Sequence, residues 1–360
     1  MGKTQDRLFA EEKRKHPLVS FFFLLLIVII AAVVVLNVIN NSRVDLVKVS
    51  VTVPTLPTAL ENFRILHISD LHGLYFGPHQ EQLKAALASA RYDVVCVTGD
   101  ITGKDGDAGA FLALIDLIGD AAPIYFITGD EDPAPIVNTP HGSGSAKADY
   151  ILEAESRGAI YLDAPVRIVR GKAALQLCPE WVYTLDQAAA EAAYTKRMEE
   201  LQAEPASPQR DAALLAVEYQ MGQLARAREV RREALETDIH VALTHHPLQT
   251  NVLRSLNEWT GEGNESYVRS ISLVLSGHFV GGQWRLPGIG AVRAPLSADT
   301  GNNGWFPDDR KVTGLSSFMG IPQYISPGLG VSSAIGLPPI RLFNTPTVTV
   351  VTLTSRLAMQ

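Results

Sequence analysis

The sequence predicts an α/β fold carried behind an N-terminal apolar helix, and three observations lead there. From Phe63 onward, short runs rich in Val, Ile and Leu alternate with longer segments of helical periodicity, the pattern of buried strands covered by helices. Five of the apolar runs end on an acid or a histidine, namely Asp70, Asp100, Asp130, His245 and His278. Strand ends are where α/β folds deliver side chains into a crevice. Ahead of all this lies one long uncharged apolar run, residues 18–39.

That run, "LVSFFFLLLIVIIAAVVVLNVI", matches the ~20 residues a membrane span requires. It exceeds the ~7–15 apolar residues of a cleaved signal core, and no small-x-small cleavage site follows it. Lys3, Arg7, Lys13, Arg14 and Lys15 precede it, whereas Arg43 and Lys48 are the basic residues that follow closely. Positive flanks stay inside. Residues 1–17 therefore read as cytoplasmic, 18–39 as a transmembrane signal anchor in the cell membrane, and the rest as extracytoplasmic. Residues 40–62 read as a linker and first strand.

The elements then follow in order. "FRILHISD", "YDVVCVTGD" and "APIYFITGD" read as strands, with "HQEQLKAALASA" and "GAFLALIDLIG" as helices between them and "KADYILEAESRG" as a helix after. "HVALTHHP", "SLVLSGH", "QYISPGL" and "TPTVTVVTLT" are later strands. Residues 63–184 and 238–360 make two parts of one domain. Residues 185–237 interrupt it, being rich in Ala, Glu, Arg and Gln with no strand-like run. Ser207 before Pro208 is a good helix start, and Leu214, Val217, Met221 and Leu224 form a stripe that Leu235 extends. We read a helical hairpin insertion, packed on its host or serving as a lid or partner-binding arm.

Charge and cysteine content narrow the classes. The chain has a net charge of −7, so nothing points to nucleic acid. The leading sixteen residues are net basic, which leaves the exported part more acidic than the whole. That disfavours electrostatic docking on an anionic membrane surface, apart from what divalent cations offset locally. Cys96 and Cys178 cannot build a disulfide framework, and Cys96 reads as a small buried hydrophobe.

Singly, the acids and histidines are weak signals. Their order is strong: "SDLH", "TGD", "TGDED", "LTHHP" and "SGH" each follow directly on an apolar strand. This order resembles the calcineurin-like metallophosphoesterases, whose pattern is D-x-H, G-D, G-N-H-D/E, a middle H and G-H-x-H. The framework pieces "ILHISDLHG", "DVVCVTGDIT" and "QYISPGLGVS" look most like the membrane-anchored bacterial branch, one member of which is a phosphodiesterase. The resemblance implies two packed mixed β-sheets flanked by helices, with one or two divalent metal ions (Mn, Fe or Zn) at one edge. By the same resemblance Asp70 and His72 bind the first metal and Asp100 bridges both. Asp130, His245 (rather than His246) and His278 complete the second. Two such ions clamp a phosphoryl group and generate hydroxide near neutral pH.

Three departures qualify the match. Asp130 stands at the family's Asn, Glu131 at its following His, and Val280 at its last His. Carboxylate oxygen can replace amide oxygen at residue 130. Valine ligates nothing, so the first metal keeps Asp70, His72 and shared Asp100. Glu131 is the catalytic candidate at the position of a lost imidazole. The implied function is hydrolysis of a phosphodiester or phosphomonoester on a phosphorylated small molecule or a lipid-linked substrate. The alternative is a pseudoenzyme that binds or senses on the same scaffold. His67 and His79 read as structural. Trp305 and Phe306 are placed to touch an apolar substrate moiety or to anchor their own loop.

Overall fold

The structure, a computed structural model, describes residues 17–137, 144–258, 271–295, 304–318, 320–335 and 339–356. Helix α1 (Pro17–Asn41) is uncharged, long enough to cross a membrane, and unburied along its apolar window. Residues 42–44 link it to β1 (Asp45–Thr52).

Two six-stranded mixed sheets form the body. The first runs β1, β14 (Thr347–Thr354), β2 (Arg64–Ile68), β3 (Val94–Thr98), β4 (Ile124–Ile127), β5 (Ala159–Tyr161). Strands β2 to β5 pair in parallel, while β14 runs antiparallel to β2 and parallel to β1. The second runs β12 (Gly314–Phe318), β13 (Ile321–Ile325), β9 (Ile271–Ser276), β8 (Ile239–Leu243), β7 (Ala173–Pro179), β6 (Val166–Arg170). Its four inner strands are parallel and both outer ones antiparallel.

The period-two geometry of a strand divides its side chains between two cores. On β3, Val94 and Cys96 join Ile65, Leu177, Val241 and Leu275 in the core between the sheets. Val95 and Val97 join Phe111, Leu114 and Ile115 beneath the helices. Helices α2 (Glu81–Leu87), α3 (Gly109–Ile118) and α4 (Asp149–Ser156) accompany that outer core. Burial pushes the Cys96 thiol well above its ordinary pKa, so it is an inert core residue. Both faces of the sheets being covered explains why the strands read as continuous apolar runs rather than alternating ones.

After the short helix α5 (Trp181–Thr184) come α6 (Gln187–Ala203) and α7 (Pro208–Glu233), which pack on each other. The Ser207 hydroxyl accepts from the Arg210 N–H at 3.1 Å, with Pro208 at the first helical position, as a capped start requires. Val217 and Leu224 are buried, and Leu214 and Met221 are half-buried. Leu235 departs from the predicted stripe: α7 ends at Glu233, the backbone turns extended at Ala234, and Leu235 is 52% exposed. Helix α8 (Thr250–Glu258) and the two-stranded hairpin of β10 (Trp284–Leu286) and β11 (Gly290–Arg293) complete the fold.

Candidate metal centre

The loops that leave the C-terminal ends of β2, β3, β4, β8, β9 and β13 converge at one edge of the sandwich. Several turn through conformations that L-residues avoid. Asp70, His72, Asp100 and His278 have φ of 53°, 46°, 50° and 74°, each costing about 1–3 kcal/mol and persisting only where the surroundings enforce it. They are enforced. The Asp70 N–H donates to Gly99 O at 3.0 Å, His72 N–H to Asp100 O at 2.8 Å, and Gly277 N–H to His245 O at 3.0 Å. Two glycines give the carboxylates room: a Cβ on Gly129 would lie 2.1 Å from Asp100 Oδ1, and one on Gly277 would lie 2.7 Å from Asp70 Oδ2.

Two groups of ligand atoms result. Asp130, His245, His246 and His278 form one, and Asp70, His72 and Asp100 form the other, with the atoms of each group within 4.8 Å of one another. Asp130 Oδ1 lies 2.8 Å from His245 Nε2, 3.4 Å from His246 Nε2 and 3.3 Å from His278 Nδ1. Asp100 joins the groups, its Oδ2 being 3.2 Å from His245 Nε2 and 3.6 Å from His72 Nε2. All six predicted ligands therefore meet in one place.

The structure adds two residues. His246, passed over in favour of its neighbour, contributes to the first of these groups, and the doubled histidine of "THHP" was the signal for it. Asp132 ties the loops together by accepting from the N–H groups of Ile101, Thr102 and Gly129 at 3.2, 2.8 and 2.8 Å. Asp132 stands at the D/E that closes the motif G-N-H-D/E, and that was the signal for it, although the sequence does not show which loops it ties.

The proton arrangement shows what the site lacks. His245 Nδ1 lies 2.8 Å from Thr98 O, and a carbonyl can only accept, so Nδ1 carries the hydrogen. The buried Nε2 of His245 makes no hydrogen bond, yet it faces carboxylate oxygens of Asp100 and Asp130. A lone pair facing two carboxylates calls for a cation between them. Failing a metal, the cation is a proton: burial would lower the His245 pKa, but Asp100 and Asp130 raise it well above the usual imidazole value. Burial likewise favours protonated Asp130, but His245, His246 and His278 hold its carboxyl far below the carboxylate range. For Asp70 burial prevails, reinforced by Asp100, and its pKa rises despite His245 and His72. The buried His72 Nε2 also makes no hydrogen bond. Unmatched buried imidazole nitrogens among carboxylates are a donor set that fits Zn, Mn or Fe.

The departures have structural consequences. Val280 is fully buried with φ 50°, an outlier for a β-branched residue, and its carbonyl accepts from Asn344 Nδ2 at 2.8 Å. It offers no ligand to the Asp70–His72–Asp100 group. Glu131 is held by hydroxyls: Ser332 donates to Oε1, and Ser333 to Oε2 at 3.1 Å. Its Oε2 also lies 3.8 Å from His72 Nδ1.

Asp130 and His246, with side chains 49% and 35% exposed, form the open side of the centre. Both line a cavity of about 310 Å³ together with Tyr161, Trp181 and, from α7, Gln223, so the inserted hairpin reaches the site. His67 is structural as expected. It is buried against Thr98 Oγ1 at 2.9 Å, and burial lowers its pKa to about 3. His79 is exposed in a turn.

A family profile described as calcineurin-like phosphoesterase matches residues 63–281. A comparison with curated proteins gives no significant match. Among solved structures, the chain is similar to a phosphopantetheinyl hydrolase of Mycobacterium tuberculosis, at 14% identity and TM-score 0.34, covering 74% of this chain and 91% of that one. It is also similar to a sulfate thiohydrolase, SoxB, of Thermus thermophilus, at 11% identity and TM-score 0.33, covering 83% of this chain and 58% of that one.

Proposed function

We propose, from the premise that this chain belongs to the calcineurin-like phosphoesterase family, that it is a metal-dependent hydrolase of a phosphodiester or phosphomonoester, working outside the cytoplasmic membrane behind the α1 anchor. The observation that carries this reading is the His245 Nε2 lone pair set against Asp100 and Asp130, with its tautomer fixed by Thr98 O. Asp130, His245, His278 and shared Asp100 would hold one divalent ion, and Asp70, His72 and Asp100 a second, weaker one. Bound there, the ions lower the pKa of water and neutralise phosphoryl oxygens.

The chain's own residues supply the rest. Thr98 O, accepting from Nδ1, orients the His245 ring, as outer-shell partners commonly do for metal-bound imidazoles. His246 presents an imidazole edge to the cavity where an anionic phosphoryl group would arrive, and Gln223 and Trp181 line the space beyond it.

A second reading, a binding scaffold without turnover, is favoured by two observations: Val280 leaves one group short, and the serines occupy Glu131. One experiment separates them. The purified full chain is assayed for Mn content and for hydrolysis of bis(p-nitrophenyl) phosphate and p-nitrophenyl phosphate, beside Asp100→Ala. Metal-dependent hydrolysis abolished by Asp100→Ala supports the enzyme. Absence of turnover, with or without bound metal, supports the scaffold, and hydrolysis that survives Asp100→Ala contradicts the enzyme.

A further inference from the structure

Helix α1 is bonded to the globular body. The side-chain amides of Asn37 and Asn41 donate to Arg341 O at 2.8 and 2.9 Å, and the Phe343 N–H donates back to Asn37 Oδ1 at 3.1 Å. Residues 18–36 of α1 rise about 28 Å at 1.5 Å per residue, close to the ~30 Å hydrocarbon thickness of a bilayer. Asn37 therefore falls where hydrocarbon gives way to headgroups, and whatever bonds to Asn37 sits at that depth.

The segment bonded to Asn37 also carries the β10–β11 hairpin. Arg285 N–H donates to Leu342 O at 2.9 Å, Leu342 N–H to Gln283 O at 3.1 Å, and Trp284 Nε1 to Ile340 O at 3.0 Å. Phe343 shares a groove with Leu286, Pro287 and Ile289 of the hairpin tip. Apolar side chains are exposed here: Ile289 by 64%, Ile340 by 48% and Leu286 by 36%. Neighbouring charges are paired, Arg285 with Asp309 at 2.8 Å and Arg310 with Asp308 at 3.3 Å. A contiguous apolar patch on a soluble face marks an interaction site, and this one continues directly from the end of a membrane-length helix.

We propose that the β10–β11 tip, with Leu286, Pro287, Ile289 and Ile340, seats in the interfacial layer of the same bilayer that α1 spans. The contact is apolar, so the acidic balance of the exported part does not oppose it. It gives the domain two points of attachment and fixes its rotation about α1. The hairpin is six residues from His278, so the metal centre is held close to headgroup level rather than swinging on a tether. The inference rests on reading α1 as a membrane anchor.

The test uses the full chain in phosphatidylcholine nanodiscs, with and without doxyl-labelled lipid. An environment-sensitive fluorophore is placed in turn on Ile289→Cys, on Val169→Cys and on Ile27→Cys. Cys96 and Cys178 are both buried and do not compete for label. Val169 is 61% exposed on β6, at an outer edge of the second sheet, and Ile27 lies mid-helix in α1. We expect doxyl lipid to quench the labels at 289 and 27 and to leave 169 unaffected. Quenching at 27 with a water-exposed label at 289 overturns the docking surface alone. Loss of quenching at 27 as well overturns the membrane reading of α1 together with it.

Discussion

Replacing Val280 with histidine tests how far the missing ligand weakens the centre. The position follows His278 by two residues, and His278 N–H donates to Asp70 Oδ1 at 2.8 Å, so residue 280 belongs to the loop that closes over the Asp70 group. Two terms oppose each other in the metal-free protein. Valine at φ 50° bears a left-handed strain of about 1–2 kcal/mol or more, which histidine tolerates better. Against that, a fully buried valine contributes about 1.5–3 kcal/mol of apolar burial, which an imidazole forfeits in part. The metal-free variant should therefore lose no more than about 2 kcal/mol. With metal the balance reverses, because an added ligand should tighten the weaker ion at least tenfold, about 1.4 kcal/mol. Titration calorimetry of the metal-stripped chain with Mn²⁺ reads both Kd values, and melting with and without Mn²⁺ reads the stability. A folded variant whose weaker Kd is unchanged would refute the reasoning and make valine a neutral or adapted occupant.

Three further outcomes are expected. Gly129→Ala places a Cβ 2.1 Å from Asp100 Oδ1 and 2.5 Å from Asp100 N; under the proposed function, the shift this forces at Asp100, the carboxylate between the two ligand groups, should cost about 10²-fold in hydrolysis, with the circular dichroism spectrum retained. The double change Ser332→Ala, Ser333→Ala removes both hydroxyl donors to Glu131, and chemical denaturation should show a loss of about 1–3 kcal/mol that Glu131→Gln reduces. Stability should fall on acidification: burial lowers His67 to about 3 and His240 to about 4, so between the ordinary imidazole value of ~6.5 and those values the unfolded chain binds more protons. Each residue then removes up to about 1.4 kcal/mol per pH unit across that window, and a Tm that holds steady from pH 7 to pH 4 would contradict it.

The strands that carry the site were legible because they are buried on both faces, so each reads as a short apolar run with a polar residue at its end. The runs that became β2, β3, β4, β8, β9, β13 and β14 are of this kind. Most of what escaped the sequence is peripheral. Strand β6, "VRIVR", lies at the edge of the second sheet and carries two arginines with the half-exposed pattern of an edge, whereas β7 beside it is buried throughout but its apolar run is interrupted by Gln176. The β10–β11 hairpin and β12 are short or polar and gave no period. Site residues were legible by order alone, whereas the loop-tying role of Asp132 and the serines that bind Glu131 were not. Their roles depend on chain segments separated by about thirty residues in one case and two hundred in the other.

The loop after β13 brings these observations together. Its Gly330 N–H donates to Asp70 O at 2.5 Å and its Leu329 N–H to Ser69 O at 3.1 Å, so it forms the wall behind the Asp70–His72–Asp100 group. Ser332 and Ser333 of the same loop bind Glu131. Arg341 closes the loop from behind, donating to Pro327 O, Gly330 O and Asn344 O at 2.8, 2.7 and 2.8 Å. That guanidinium is buried, and burial lowers its pKa to about 9; at neutral pH it therefore remains charged. It is held as a buried guanidinium must be, with its donors matched to carbonyls, and its charge acts on Asp70. The carbonyl of this same residue receives both asparagine amides of α1. One residue thus joins the helix end to the backbone that positions Asp70. Asp130, by contrast, hangs from β4 on the far side of β3 from Asp70.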